Sequence, residues 1–258
     1  MSVPPPKLAS SDRSLLIREA GRLLENPGRR LFLRSAVTVG SIAMLSGCDI
    51  TDGDSAENAL RRISTFNDRV QAWLFSPHRL AREYPASMIS KPFPFNAFYA
   101  ETEAPIVDPQ DFALEVGGLV ADRTPWTLGR LYALPEESQI TRHVCIEGWS
   151  AIGQWSGVRL AEFLRRVGAD LGARYVGFRC ADGYSTSIDM PSALHAQTQL
   201  TFKLGGEILP TRHGFPLKLR IPTKLGYKNP KHIVEILVGN RDPGGFWEKH
   251  GYNWFSGL

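Results

Sequence analysis

An α+β domain is the fold class this sequence predicts, and three observations predict it. From Asp111 onward, short apolar runs are separated by Gly or Pro, the mark of successive strands. One clear stretch, Leu160, Phe163, Leu164 and Val167, keeps the i, i+3, i+4, i+7 spacing of an amphipathic helix. No regular strand–helix alternation runs through the chain, so a doubly wound parallel sheet is not expected.

Taken in order, the elements begin with an export signal at residues 1–47. Arg29 and Arg30 precede an uncharged run, Ser35 to Gly47, that leads into Leu45-Ser46-Gly47-Cys48. A twin-arginine pair, a short apolar core and a small-residue cleavage site together read as a signal for export. The run of 13 residues is shorter than the roughly 20 needed to span a bilayer. Residues 48–76 follow as a polar tether, to about residue 60, and an N-terminal segment, and residues 77–258 form the domain. Its opening stretch, 77–109, mixes six prolines with Tyr84, Phe93, Phe95, Phe98 and Tyr99. Prolines deny it long helices while the aromatics need burial, so it should wrap the domain as ordered loop. Phe112, Leu114 and Val116 alternate as a half-buried strand. The 160–167 helix carries Glu162 and Arg166 at i, i+4 and is stopped by Gly168. Residues 174–180, 201–209, 216–221 and 232–238 read as further strands.

Charge follows the same partition. Residues 1–47 hold seven Lys/Arg against three acids, whereas residues 48–258 hold 23 basic against 23 acidic. The net +4 of the chain therefore belongs to the signal, and nothing supports nucleic-acid binding by the domain. No Walker loop and no Gly-x-Gly-x-x-Gly follows a strand, which argues against a nucleotide fold. The six histidines include no closely spaced pair, so a zinc hydrolase has no ligand set.

The three cysteines, Cys48, Cys145 and Cys180, are too few for a disulfide framework. Cys145 lies in Arg142-His143-Val144-Cys145-Ile146-Glu147-Gly148-Trp149-Ser150, read as an irregular segment before the helix. A thiolate is the metal ligand or nucleophile, and Arg142 with a protonated His143 would favour that form. The alternative is a small buried hydrophobe, the usual fate of a free cysteine.

Four ordered motifs then carry a resemblance. Val144-Cys145-Ile146-Glu147-Gly148-Trp149-Ser150, Ala181-Asp182-Gly183-Tyr184, His213-Gly214-Phe215-Pro216-Leu217 and Pro222-Thr223-Lys224-Leu225-Gly226-Tyr227-Lys228 resemble the sulfite oxidase family. The similarity is closest to bacterial single-domain members that bind a molybdenum–molybdopterin cofactor, and it runs from about Phe95 to the C-terminus. It implies a mixed-sheet molybdopterin-binding fold and an enzyme of oxygen-atom transfer. It implies Cys145 as the single protein ligand to molybdenum, a soft thiolate for a metal already bound by sulfur. It implies cofactor contacts from Asn96, Tyr99, His213, Lys218, Asn229, Pro230 and Lys231. Cys180 stands where methionine sulfoxide reductase relatives carry a cofactor-contacting threonine. Tyr184 matches the active-site tyrosine of sulfite oxidases, and Lys228 stands at their anion-binding arginine, so both are expected to face substrate. Lysine lacks the bidentate fork of arginine, which weakens the case for sulfite.

Leu45-Ser46-Gly47-Cys48 resembles a bacterial lipobox, which implies lipidation of Cys48 and attachment at the periplasmic side of the cytoplasmic membrane. Without a haem-binding segment or the dimerisation domain of animal and plant sulfite oxidases, electrons are expected to pass to or from a membrane haem protein or soluble cytochrome. Three readings follow: a molybdenum oxygen-atom-transfer enzyme oxidising or reducing a small sulfur or other oxyanion, a protein methionine-sulfoxide reductase subunit, or a non-enzymatic ligand-binding lipoprotein. Tyr184 favours the first, and an intact Cys145 disfavours the third.

Overall fold

The computed structural model describes residues 53–258; the signal read at 1–47, with Arg29, Arg30 and Cys48, lies outside the described residues. Residues 60–258 form one compact unit. Helix α1 spans Gly53–Leu74, so the end of the expected polar tether is helical from Gly53. From Leu60 onward α1 turns polar side chains inward: Asp68 accepts from the amides of Trp254 (3.2 Å) and Phe255 (2.5 Å), and Gln71 Oε1 from that of Gly257 (3.0 Å). The proline-rich stretch beyond it holds only two short 3-10 turns, Ala86–Met88 and Glu101–Glu103, and a bridge from Glu83 to Thr141. It wraps the domain as loop, as its prolines require.

Two sheets follow. The first has the order β2-β1-β10-β5-β6, from β1 (Ala113–Gly118), β2 (Trp126–Thr127), β5 (Tyr175–Cys180), β6 (Ser185–Asp189) and β10 (Ile233–Gly239). Its β1–β10 pair is parallel and the others antiparallel, which makes the sheet mixed. The second has the order β3-β4-β7-β8, from β3 (Glu137–Val144), β4 (Ser150–Arg159), β7 (Gln199–Leu204) and β8 (Glu207–Ile208), with β9 (Lys218–Arg220) paired to β7. Short helices α2 (Leu128–Tyr132), α3 (Leu160–Arg166), α4 (Met190–Ala193) and α5 (Phe246–Lys249) fill the corners.

The hydrophobic core draws on both sheets and α3. Leu160, Phe163, Leu164 and Val167 are all fully buried, as their spacing predicts, and Arg166 pairs with Glu162 at 3.5 Å. Truncating Phe163 to alanine would cost about 3–5 kcal/mol, because the surrounding core relaxes only in part. The expected 201–209 strand is instead a hairpin: Gly205 and Gly206 take φ of 66° and 87° and reverse the chain between β7 and β8. Consecutive positive φ angles suit a two-residue turn that glycine enters without strain.

Strands β3, β4 and β6 are absent from the expected set. In β3 the inward positions are Gln139, Thr141 and His143, polar residues that invert the usual pattern. In β6, Thr186 and Ser187 are likewise buried, bonded to Glu248 (2.6 Å) and Asp242 (2.8 Å). Strand β4 is buried on both faces and so shows no alternation.

Candidate active site

Cys145 sits on an irregular segment, as expected, but that segment is the loop of the β3–β4 hairpin and strand β4 separates it from the helix. Its amide donates to the Trp149 carbonyl (2.9 Å), and the Gly148 amide returns to its own carbonyl (3.2 Å). Gly148 closes this loop at φ 91°, where a side chain would be strained. The loop places Cys145 in the wall of an open cavity. Four further segments complete the wall: Asn96 to Tyr99 from the proline-rich stretch, Asp182 and Tyr184 from the β5–β6 turn, Gly226 and Tyr227 with Asn229 to Lys231, and Trp247 with Tyr252.

The surroundings of Cys145 differ from the expectation. Arg142 is exposed on the opposite side of β3, with its guanidinium 5.2 Å from the Tyr84 ring. His143 is buried, and burial together with the Arg220 and Lys218 cations holds its imidazole neutral, well below its ordinary pKa. Neither residue supplies the positive charge the sequence suggested. Burial also pushes the Cys145 thiol up, the adjacent Glu147 carboxylate adds to this, and Sγ donates to Glu147 Oε2 at 3.5 Å. A bound metal cation would reverse that balance and hold the thiolate outright.

Of the expected site residues, the cavity wall contains Asn96, Tyr99, Cys145, Tyr184, Asn229, Pro230 and Lys231. Tyr99 donates to Asp182 Oδ2 (3.1 Å), and burial pushes its phenol up. Tyr184 donates to the Tyr227 carbonyl (2.6 Å), and its buried phenol is also pushed up and stays protonated. Asn229 is a clamp as well as a wall residue. Its Oδ1 accepts from Arg220 (2.9 Å) and the Ile221 amide (2.9 Å), and its Nδ2 donates to the Leu225 carbonyl (3.1 Å).

Lys218 and His213 lie behind the wall. Lys218 is fully buried, donates to the Asn229 carbonyl (3.1 Å), and has no carboxylate partner among the described residues. Burial and then the Lys231 and Arg220 cations push its ammonium well down. Burial first, then Lys218, bring His213 to about 4. Cys180 joins the apolar core and not the cavity wall, and burial pushes its thiol well up.

Lys228 departs most from expectation. It is fully buried, outside the cavity wall, and ion-paired with Glu248 at 2.5 Å, with Trp254 5.5 Å away. Glu248 also accepts from Thr186, so the carboxylate competes for this ammonium before any substrate could. Lys228 therefore does not line the cavity. No motif pointed to Glu248 or Arg220, because each acts through a partner distant in the chain. Asp182 stood inside a quoted motif, but its bond to Tyr99 spans 83 residues.

These residues suit a large anionic group with a soft metal. A buried lysine without a carboxylate is costly unless an anion completes it. Both ring nitrogens of His143 and the Nε of Arg220 also lack partners among the described residues. A side chain at Gly226 would lie 2.7 Å from His143 Nε2, so glycine lets this turn pack directly against the imidazole.

The fold and site define a molybdopterin-dependent oxidoreductase of sulfite oxidase type. The family model for the oxidoreductase molybdopterin binding domain matches residues 101–247, and the chain belongs to that family. It is 57% identical over 254 residues to YedZ1 of Azospira oryzae, a candidate protein-methionine-sulfoxide reductase subunit, covering 98% of this chain and 97% of that one. It is 33% identical over 207 residues to the protein-methionine-sulfoxide reductase catalytic subunit MsrP of Ralstonia nicotianae, covering 68% of this chain and 61% of that protein. Among solved structures, the sulfane dehydrogenase SoxCD of Paracoccus pantotrophus aligns with a TM-score of 0.51 at 20% identity, over 54% of this chain and 41% of that one. This last likeness bears on the fold. The mixed-sheet α+β expectation, the cofactor class and the enzyme class all hold.

Proposed function

We propose that this chain is the catalytic subunit of a protein methionine-sulfoxide reductase. The observation that carries the proposal is Lys228. The cation expected to attract a sulfur oxyanion is held by Glu248 behind the wall, while the wall itself presents Phe98, Ile146, Trp247 and Tyr252. Aromatic faces suit a thioether chain, with sulfur–aromatic contacts of about 0.3–1.5 kcal/mol, and they do nothing for a compact dianion. Similarity to YedZ1 over nearly the whole chain supports the same reading over the oxidase-type one.

When bound, the molybdenum–molybdopterin group supplies two-electron oxygen-atom chemistry. Cys145 would hold the metal, Lys231 would face the anionic part of the group, and Lys218 would add positive charge from behind the wall. Sulfoxide reduction consumes two electrons and two protons and yields thioether and water. Tyr99 Oη and Tyr184 Oη both keep their protons through burial, so these wall groups donate hydrogen bonds and do not compete as anions. The Asp182–Tyr99 bond fixes one phenol and the Tyr227 carbonyl fixes the other.

In this reading the chain leaves the cytoplasm folded through Arg29 and Arg30, is held to the membrane through Cys48, and takes electrons from a separate membrane haem protein. The test is steady-state kinetics of the loaded enzyme, with a reduced viologen as donor or ferricyanide as acceptor. Sulfoxidised protein should turn over with high kcat/KM, and sulfite should be oxidised poorly. Faster sulfite oxidation than protein reduction would return the site to the oxidase-type reading.

A further inference from the structure

The outward side of α1 is apolar, the reverse of an ordinary surface helix. Asp68 and Gln71 bond the C-terminal strand of chain, and Phe75 just past the helix packs on the Phe255 ring at 5.7 Å, so this side is committed inward. On the other side Ile63, Phe66, Trp73 and Leu74 form one stripe at helical spacing, with Phe66 64% and Trp73 82% exposed. An apolar stripe of this size on a folded domain marks a contact surface. Charge says which kind. Residues 60–82 carry five arginines against one acid, Asp68, which is turned inward, while residues 48–258 as a whole are neutral. Arg62 and Arg69 fall at about 200° and 180° on a wheel begun at Leu60, beside Trp73 and Phe66 at about 220° and 240°. An aromatic and aliphatic face bordered by arginines is the make-up of a helix that lies in a bilayer interface.

We infer that the Ile63–Leu74 face of α1 docks on an anionic phospholipid surface, with Phe66 and Trp73 in the acyl boundary and Arg62 and Arg69 at the headgroups. The chain places it there: Cys48 precedes Gly53 by five residues, at most about 18 Å of chain, so a lipid on that cysteine would hold α1 at the headgroup layer. The docking face is independent of the sulfoxide-reductase reading.

The test uses the full chain with Cys48→Ser, which removes any lipid, and vesicles of phosphatidylglycerol and phosphatidylcholine in equal parts with brominated acyl chains that quench tryptophan. Quenching should occur and should fall when Trp73→Phe is added. Arg62→Gln with Arg69→Gln should weaken vesicle affinity by about 30-fold, from roughly fivefold per arginine. Equal affinity for pure phosphatidylcholine, quenching indifferent to Trp73→Phe, or affinity indifferent to the arginine pair would each overturn the inference. Binding through the signal alone would leave quenching indifferent to Trp73→Phe and affinity indifferent to the arginine pair. A dimer in solution that dissociates in Phe66→Ser/Trp73→Ser, with no vesicle binding, would assign the face to a second copy and also overturn it.

Discussion

Replacing Lys228 with methionine separates a substrate-binding lysine from a structural one. The Glu248 side chain is 9% exposed, and its Oε2 already lacks a partner. Removing Lys228 leaves Oε1 with Thr186 alone, so a carboxylate stays buried without a countercharge. Breaking a buried pair from one side costs about 3–5 kcal/mol, whereas removing both charges into apolar packing is near neutral. For a domain of this size each kcal/mol moves Tm by about 2–4 °C, which puts Lys228→Met about 6–20 °C below the parent chain. The double variant Lys228→Met/Glu248→Leu should recover most of that loss. Thermal unfolding by circular dichroism measures both, and KM with sulfite and with sulfoxidised protein should be little changed in the folded enzyme. A Tm equal to the parent, together with KM for an anion raised by one to two powers of ten, would refute the reasoning and return Lys228 to the substrate side.

Stability should fall as pH drops from 6.5 toward 4. Burial lowers His213 and His232 to about 4, so between 4 and the ordinary 6.5 the unfolded chain binds protons that the folded chain does not; denaturant titrations against pH should show a slope that shrinks in His213→Asn. Purified enzyme should hold about one molybdenum per chain; Cys145→Ser should keep the fold while losing metal and activity, and Cys180→Ser should lose neither, as elemental analysis and turnover will show. Arg29→Lys with Arg30→Lys should trap the protein in the cytoplasm, and Cys48→Ala should abolish lipid attachment, both read by fractionation and mass spectrometry of the mature chain.

The sequence by itself determined the helix at 160–167, the loop character of 77–109, the motif cysteine and the cofactor class. These are local signals: a spacing, a proline content, short runs of fixed residues. Strands β3 and β6 were not legible, because their buried faces are polar, and a hydrophobic period does not register Gln139, Thr141 and His143 or Thr186 and Ser187. Electrostatics was least legible of all. Arg142 and His143 adjoin Cys145 in the chain, yet one points outward and burial keeps the other neutral. Lys228 resembles a substrate ligand in one dimension and is a buried ion pair in three, because Glu248 reaches it across 20 residues. Charge and protonation depend on what surrounds a group through space, and only the tertiary structure decides that.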